Sequence, residues 1–127
     1  MRRSDQRRDA AVAIYQRDVT GRPLEDLLVD ARPFTRDLAV GVDAHLAEID
    51  AEIGANAHGW TIGRIAPLER AIMRVALFEI HHREEIPIAV SIDEAVSITR
   101  RYCGTDAPGF VNGILSAIAR SLDGAAA

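Results

Sequence analysis

Hydrophobic positions recur at helical spacing along the whole chain, and they are densest in residues 67–80 (PLERAIMRVALFEI). Apolar side chains cover most of the circumference of this segment and leave a narrow polar margin at Glu69, Arg70, Arg74 and Glu79. A helix that is apolar on most sides is normally buried. The pattern therefore predicts a central helix with other helices packed on several sides of it.

A first helix is predicted from Ser4 or Asp5, either of which can cap exposed N–H groups, to Thr20 before Gly21. Its arginines are expected to project from the frayed start and the outer face of the helix. Its buried stripe is predicted to contain Ala11, Ile14 and Tyr15, with Val12 and Val19 beside them.

Two more helices are predicted before the central one, a short helix after Pro23 and a longer amphipathic helix from Pro33 to Ile53. His45 lies on or beside the apolar stripe of the longer helix. It is interpreted as a boundary residue rather than a metal ligand, because no partner stands at ligand spacing. Residues 54–63 are predicted to form a loop anchored by Trp60, which either packs at a bundle edge or stacks on a base, and packing is favoured.

The segment after the central helix begins with a solvated, charged turn at residues 81–85. Residues 91–94 (SIDE) have the capping-box form, so the next helix is predicted to begin at Ser91, to turn Tyr102 inward and to end at Gly104.

The last helix is predicted to begin after Thr105 or Asp106, either of which can cap it, and to carry an apolar stripe to Leu122. Gly109 and Gly113 lie one turn apart on this helix. A glycine inside a helix costs about 1 kcal/mol relative to alanine, so a close approach of a neighbouring helix or a ligand is predicted there.

No segment has a strand pattern, and the fold class is all-α with six or seven helices. The 127 residues predict a single domain, with residues 1–4 and 124–127 frayed. No apolar run approaches the roughly 20 residues of a membrane span, so a cytoplasmic protein without membrane contact is expected. The net charge of -4 hides a basic first segment, which leaves nucleic-acid binding open because binding responds to the local field.

Catalytic motifs are missing from the sequence, which has no Gly-rich phosphate loop, CxxC pair, HExxH motif or GxSxG elbow. We therefore expect neither an enzyme nor a cofactor or metal site, and Cys103 is interpreted as a small core residue. A binding module remains, with two candidate surfaces: the basic N-terminal arm and the start of the last helix at residues 106–112.

Four segments in order, RRDAAVAIYQ, RAIMRVALFEI, IPIAVSIDEAV and above all GTDAPGFVNGIL, resemble the NusB family of bacterial transcription antitermination factors. The resemblance implies two small helical bundles packed across each other. It also implies a heterodimer with NusE, a small-subunit ribosomal protein, that binds the boxA sequence of nascent ribosomal RNA transcripts. Other Nus factors and RNA polymerase are implied as indirect partners in transcription regulation.

The resemblance also implies the site residues. The RNA-binding residues are Arg2, Arg3, Arg7, Arg8, Tyr15, Asp106, Phe110 and Asn112, and the partner-binding residues are Glu69, Arg70 and Arg74. Flexible arginines suit phosphate contacts, and aromatic rings suit unpaired bases. The alternatives stay open: Tyr15 can pack in the stripe of the first helix, Asp106 can cap the last helix, and the partner residues can form a solvated face.

A second function is also compatible with the sequence. Ser4, Asp5 and Gln6 split the basic arm where the family often has a denser cluster, and the chain is acidic overall. The chain would then be a helical protein-interaction module or a homodimer with little RNA affinity of its own.

Overall fold

The computed structural model describes residues 1–126, and its regular structure is entirely helical. Seven α-helices and one 3₁₀ turn follow one another without a strand in that range: α1 (Arg3–Thr20), α2 (Leu24–Leu27), α3 (Pro33–Ala44), α4 (Leu46–Asn56), the 3₁₀ turn (Ile62–Arg64), α5 (Pro67–His82), α6 (Ile88–Tyr102) and α7 (Ala107–Ala126). None of these helices is long and apolar enough to cross a membrane. Fraying of residues 1–4 and 124–127 stays a prediction, and residue 127 lies outside the described part of the chain.

Helix α5 is the centre of the fold, as the sequence predicts. Every residue from Ala71 to Ile80 is buried. The helix packs against α1 and α3 on one side and against α4, α6 and α7 on the other. Because α1 contacts both α2 and α3 while α7 contacts both α4 and α6, the molecule consists of two small bundles that share α5. The all-α fold of two packed bundles is confirmed.

The polar margin of α5 is narrower than predicted, since Arg74 and Glu79 are buried as well. Buried charges are stable only when they are paired and hydrogen-bonded. Arg74 forms two hydrogen bonds to Asp50 of α4, at 2.7 and 2.8 Å, and Glu79 accepts one from Arg7 of α1 at 2.8 Å. The two charges of α5 thus bind neighbours in both bundles.

The predicted long helix from Pro33 to Ile53 is interrupted at His45, so this prediction was wrong. His45 has φ -117° and ψ 22°, and it separates α3 from α4. Its imidazole stacks on His82 at the end of α5, with 4.2 Å between ring centroids. This tertiary contact leaves no trace in the apolar periodicity.

Helix α6 begins at Ile88, directly after Pro87, and not at Ser91. The capping-box prediction was wrong, because Ser91 is buried inside the helix and donates a hydrogen bond to Oε1 of Glu79 at 2.6 Å. Helix α1 also begins without a side-chain cap, since its first flanking residue is Arg2 rather than Ser4 or Asp5.

Three apolar or aromatic residues predicted to face inward are exposed. Val12 and Val19 lie on the solvent side of α1. The alanines and Ile14 on its other side make the contacts with the core. Tyr102 is the last residue of α6 and is 46% exposed, because it extends beyond the packed part of that helix.

The close helix approach is found at Gly41 and not at the predicted glycines. Nothing lies within 4 Å of a Cβ built at Gly109 or Gly113. A Cβ at Gly41 would come within 2.1 Å of the Phe78 ring, which is itself buried. Glycine at this position therefore lets α3 and α5 approach each other.

We predict that Gly41→Ala destabilises the protein by about 1–3 kcal/mol, because the added methyl group overpacks the contact with Phe78. Gly113→Ala is the matched control, and it should be neutral or stabilising by up to about 1 kcal/mol. Urea unfolding of both variants measures the difference. Equal stabilities would show that Phe78 moves aside freely.

Candidate nucleic-acid interface

The arginines at the start of α1 differ in their exposure and in their contacts with carboxylates. Arg2 is largely exposed, and its Nε lies 3.6 Å from Asp5. Arg8 bonds to Asp5 at 3.3 Å and to Asp9 at 3.0 Å. Both guanidinium groups thus lie at the surface, but neighbouring carboxylates offset part of their charge.

Arg7 points inward, so the prediction that it projects from the outer face of α1 was wrong. Its Nε donates to Oε2 of Glu79 at 2.8 Å, and its Nη1 lies 3.6 Å from Glu94 of α6. Ser4 donates to the same oxygen of Glu94 at 2.9 Å. Because α1 crosses α5 and α6 on the side that carries Arg7, this guanidinium is enclosed and its Nε donor is occupied.

Arg3 lies one helical turn before Arg7 and contacts α3. Its guanidinium carbon is 4.2 Å from the ring centroid of Phe34 in α3, and that of Arg7 is 5.4 Å from the same centroid. A cation over an aromatic face is attracted by the ring quadrupole. The predicted basic arm therefore divides into an exposed Arg2, an exposed Arg3 that lies over Phe34, a half-buried Arg8 and a buried Arg7.

A groove of about 430 Å³ opens where the 3₁₀ turn, the first turn of α5 and the start of α7 meet. We call it the Trp60–Phe110 groove. Its lining side chains include an aromatic pair, one arginine and two carboxylates: Trp60, Phe110, Arg64, Glu69 and Asp106. Three predicted site residues, Glu69, Asp106 and Phe110, thus come together from segments about 40 residues apart.

The two aromatic rings of the groove stack edge to face, with 5.8 Å between centroids and 67° between ring planes. Trp60 is half exposed, and Phe110 is half-buried against the core. Trp60 therefore packs at the edge of the bundle, as predicted, and also presents a π surface to solvent. The two functions proposed for it from the sequence are compatible in this geometry.

The carboxylates of the groove have no ion-pair partner in the described part of the chain. Burial raises the pKa of Glu69, which favours its neutral form relative to an exposed glutamate. Asp106 is exposed and makes no side-chain hydrogen bond to cap α7 among residues 1–126. Arg64 lines the same groove, so two carboxylates and one guanidinium face its solvent.

Cys103 lies beside this groove as a free, half-buried thiol. Burial and then the charge of Glu69 raise the pKa of the Cys103 thiol. A raised pKa keeps the sulfur protonated, and the thiolate is the nucleophilic form. The interpretation of Cys103 as a packing residue agrees with this environment.

Tyr15 and Asn112 lie outside the groove. Tyr15 is half-buried and packs against the core from α1. Asn112 is exposed two residues after Phe110, and residues two apart on a helix do not face the same side. Its amide oxygen accepts from Ser116 at 3.3 Å.

Arg70 and Arg74, the predicted partner-binding arginines, are engaged within the protein. Both bond to Asp18 of α1, and Arg70 also donates to the carbonyl of Ile62 at 2.9 Å. Burial favours the neutral form of Asp18, but the hydrogen bond from Arg70 and the charge of Arg74 outweigh it and lower its pKa. Of the predicted partner residues, Glu69 has the most accessible functional group.

Arg64 is the groove residue that sequence reasoning missed. It follows the loop as an isolated charge, and no periodicity or motif distinguishes it from other surface arginines. Only the meeting of the 3₁₀ turn with α5 and α7 places it beside Trp60.

We predict that Arg7→Ala destabilises the protein by about 3–5 kcal/mol, because it leaves the carboxylate of Glu79 buried without its cation. Arg2→Ala removes the same charge from an exposed position and should cost well under about 1 kcal/mol. Thermal and urea unfolding measure both losses. Similar small losses would show that Glu79 is solvated without Arg7.

We predict that Glu69→Gln raises stability at neutral pH. Because the pKa is raised in the folded state, the folded protein holds this proton to a higher pH than the unfolded chain. The contribution of Glu69 to the free energy of unfolding is therefore largest below the ordinary pKa of about 4.5, and it falls as the pH rises through the folded pKa. The neutral amide of the variant does not suffer this loss. The difference in free energy of unfolding between variant and wild type should therefore disappear below a pH of about 4.5. Unfolding curves across pH, with exposed Glu84→Gln as the charge control, measure it. A gap that persists in acid would contradict the assignment.

Comparison with known proteins places these features in a family. Residues 4–120 match the NusB family. The transcription antitermination protein NusB of Geobacillus kaustophilus is 37% identical over 128 residues, which cover 96% of this chain and 98% of the relative. The solved structure of T. maritima NusB has a TM-score of 0.87 and 29% identity, and the match covers 94% of this chain and 92% of that one. A chain in the crystal structure of antitermination factors NusB and NusE in complex with dsRNA is alike in fold, with a TM-score of 0.78 and 24% identity over 95% of this chain and 99% of that one. The chain therefore belongs to the NusB family.

Proposed function

We propose that this protein is a transcription antitermination factor that binds single-stranded boxA RNA as a heterodimer with NusE. The observation that carries the proposal is the Trp60–Phe110 groove, where two aromatic rings lie beside the unpaired carboxylates of Glu69 and Asp106. Family membership supports it, since the relative from Geobacillus kaustophilus is named a transcription antitermination protein.

The groove suits unpaired bases better than a regular duplex. Single-stranded bases can leave their stack and lie on an aromatic side chain, whereas the bases of an A-form helix stay enclosed. The carboxylates accept hydrogen bonds and cannot donate them when ionised, so they select bases that present an amino group. Arg64 supplies a cation for a neighbouring phosphate.

The basic arm contributes Arg2 and Arg8 directly, while Arg7 acts by holding α1 in place. Arg3, Tyr15 and Asn112 stay assigned to RNA on family resemblance. A crystal structure of relatives contains NusB, NusE and double-stranded RNA together. We assign NusE to the surface around Glu69, with Arg70 and Arg74 shaping it from within. The complex acts in the cytoplasm with other Nus factors on RNA polymerase and performs no catalysis.

One observation favours the second candidate function, a protein-interaction module or homodimer with little RNA affinity. Asp5 and Asp9 hold Arg8, and Glu79 encloses Arg7, so the arm presents less free positive charge than its four arginines indicate. Non-specific RNA binding depends on such charge. The test must therefore separate RNA binding from NusE binding.

Fluorescence anisotropy with a labelled boxA strand, a scrambled strand and a boxA duplex, each with and without NusE at two salt concentrations, tests the function. We expect preference for the boxA strand, strengthened by NusE. Phe110→Ala should weaken binding about tenfold, in line with the loss of one stacked base. Leu122→Ala, which truncates another half-buried side chain of α7, is the control for general loss of packing.

The contrary outcomes are distinct. A stable heterodimer without boxA preference would favour the protein-interaction module. Normal binding by Phe110→Ala, together with a large fall in melting temperature, would make Phe110 a core residue only.

A further inference from the structure

A second groove lies where the start of α1 meets the end of α6. It has a volume of about 230 Å³ and is lined by the start of α1 and the end of α6, including Arg2, Arg8, Arg101 and Tyr102. We call it the Tyr102 groove. Its two halves are at least 86 residues apart in the sequence, from Arg8 to Glu94, and neither forms a recognisable motif.

Tyr102 is the aromatic platform of this groove. Its ring is 46% exposed, which is unusual for a large side chain that the helical pattern directs inward. The guanidinium carbon of Arg101 lies 5.7 Å from its ring centroid. On the other element, Arg8 of α1 lines the same groove as Tyr102.

The charges around Tyr102 favour an anion. Arg101 makes no ion pair in residues 1–126, and Arg2 is largely exposed. The carboxylates facing the groove are already engaged: Asp5 by Arg2 and Arg8, and Glu94 by Ser4 and Arg7. An exposed ring between arginines is the arrangement with which proteins bind single-stranded nucleic acid.

The Tyr102 groove and the Trp60–Phe110 groove are neighbours along one turn. Tyr102 lines the first, while Gly104, Thr105 and Asp106 line the second. Tyr102 and Asp106 are four residues apart, which is at most roughly 14 Å in an extended chain, so the two grooves are within reach of one RNA strand.

We propose that the Tyr102 groove is a second subsite for single-stranded RNA, continuous around the α6–α7 turn with the Trp60–Phe110 groove. Tyr102 stacks on a base, and Arg101 and Arg8 contact the adjacent phosphates. The subsite is indifferent to sequence, because a ring face and a guanidinium accept any nucleotide. The subsite extends the proposed RNA-binding function. It rests on that function only for which RNA strand the protein prefers.

The experiment uses the full chain with NusE and measures binding of the boxA strand and of the scrambled strand. Tyr102→Ala should weaken binding of both strands about tenfold. Arg101→Ala should weaken it several-fold and reduce the slope of log K against log salt by about one. Tyr102→Phe keeps the ring and should bind like wild type.

Arg100→Ala is the matched control, because Arg100 is an exposed arginine next in sequence that does not line the groove. We expect it to change affinity less than twofold. Circular dichroism checks that all variants keep their melting temperature. Affinities of Tyr102→Ala and Arg101→Ala within twofold of Arg100→Ala would overturn the subsite.

The outcomes separate the subsite from the boxA function. If boxA preference requires Phe110 but Tyr102→Ala leaves the affinity for both strands unchanged, the function stands and the subsite is wrong. If the wild type shows no boxA preference but Tyr102→Ala weakens the scrambled strand, the subsite stands and the antitermination function is wrong. Absence of all RNA binding overturns both.

Discussion

The buried ion pair between Arg7 and Glu79 determines how the two bundles meet. A charge inside a protein loses its hydration, and only a complete set of hydrogen bonds offsets that loss. Glu79 meets this condition by accepting from Arg7 with one oxygen and from Ser91 with the other. These three residues belong to α1, α5 and α6, so the pair is satisfied in one relative orientation of the three helices.

The rest of the surface follows from that orientation. Once Arg7 turns inward, Arg8 lies one helical step away beside α6, and Arg3 lies over Phe34 of α3. In the middle of α5, Arg74 draws Asp50 of α4 and Asp18 of α1 together. These internal pairs hold α1 and α4 on α5, whose first turn then forms one wall of the Trp60–Phe110 groove.

The sequence was sufficient for the parts of the fold that depend on local pattern. The apolar circumference of residues 67–80 predicted the central helix, and Gly21 and the prolines predicted several helix ends. It failed where a tertiary contact overrides the local signal. Ser91 satisfies the capping-box pattern, yet Pro87 starts the helix earlier and Glu79 accepts the Ser91 hydroxyl. Tyr102 fits the inward stripe, but the stripe cannot reveal where the neighbouring helices end.

The residues of the candidate site likewise divide into those that the sequence identified and those that only the fold brings together. Asp106 and Phe110 are in one motif, so resemblance identified them together. Arg64 and Trp60 join them only because residues 60–64 lie beside the start of α7, where Trp60 packs on Phe110, a contact between residues with no shared periodicity. The basic arm shows the opposite error: four arginines close in sequence predict one charged patch, but the helix distributes them around its circumference and the neighbouring acids engage most of them.

These arrangements determine which interactions can carry RNA affinity in an acidic protein. A guanidinium already bonded to a carboxylate releases few counterions when phosphate arrives, so its contribution to binding is small. The contribution of an aromatic face to binding is not reduced by ion pairs, because they do not occupy it. Salt also barely screens stacking. In the proposed complex with RNA, Trp60, Phe110 and Tyr102 are therefore the groups whose contribution should survive at physiological salt. Affinity should follow the number of bases that reach these rings more closely than the net charge of the chain.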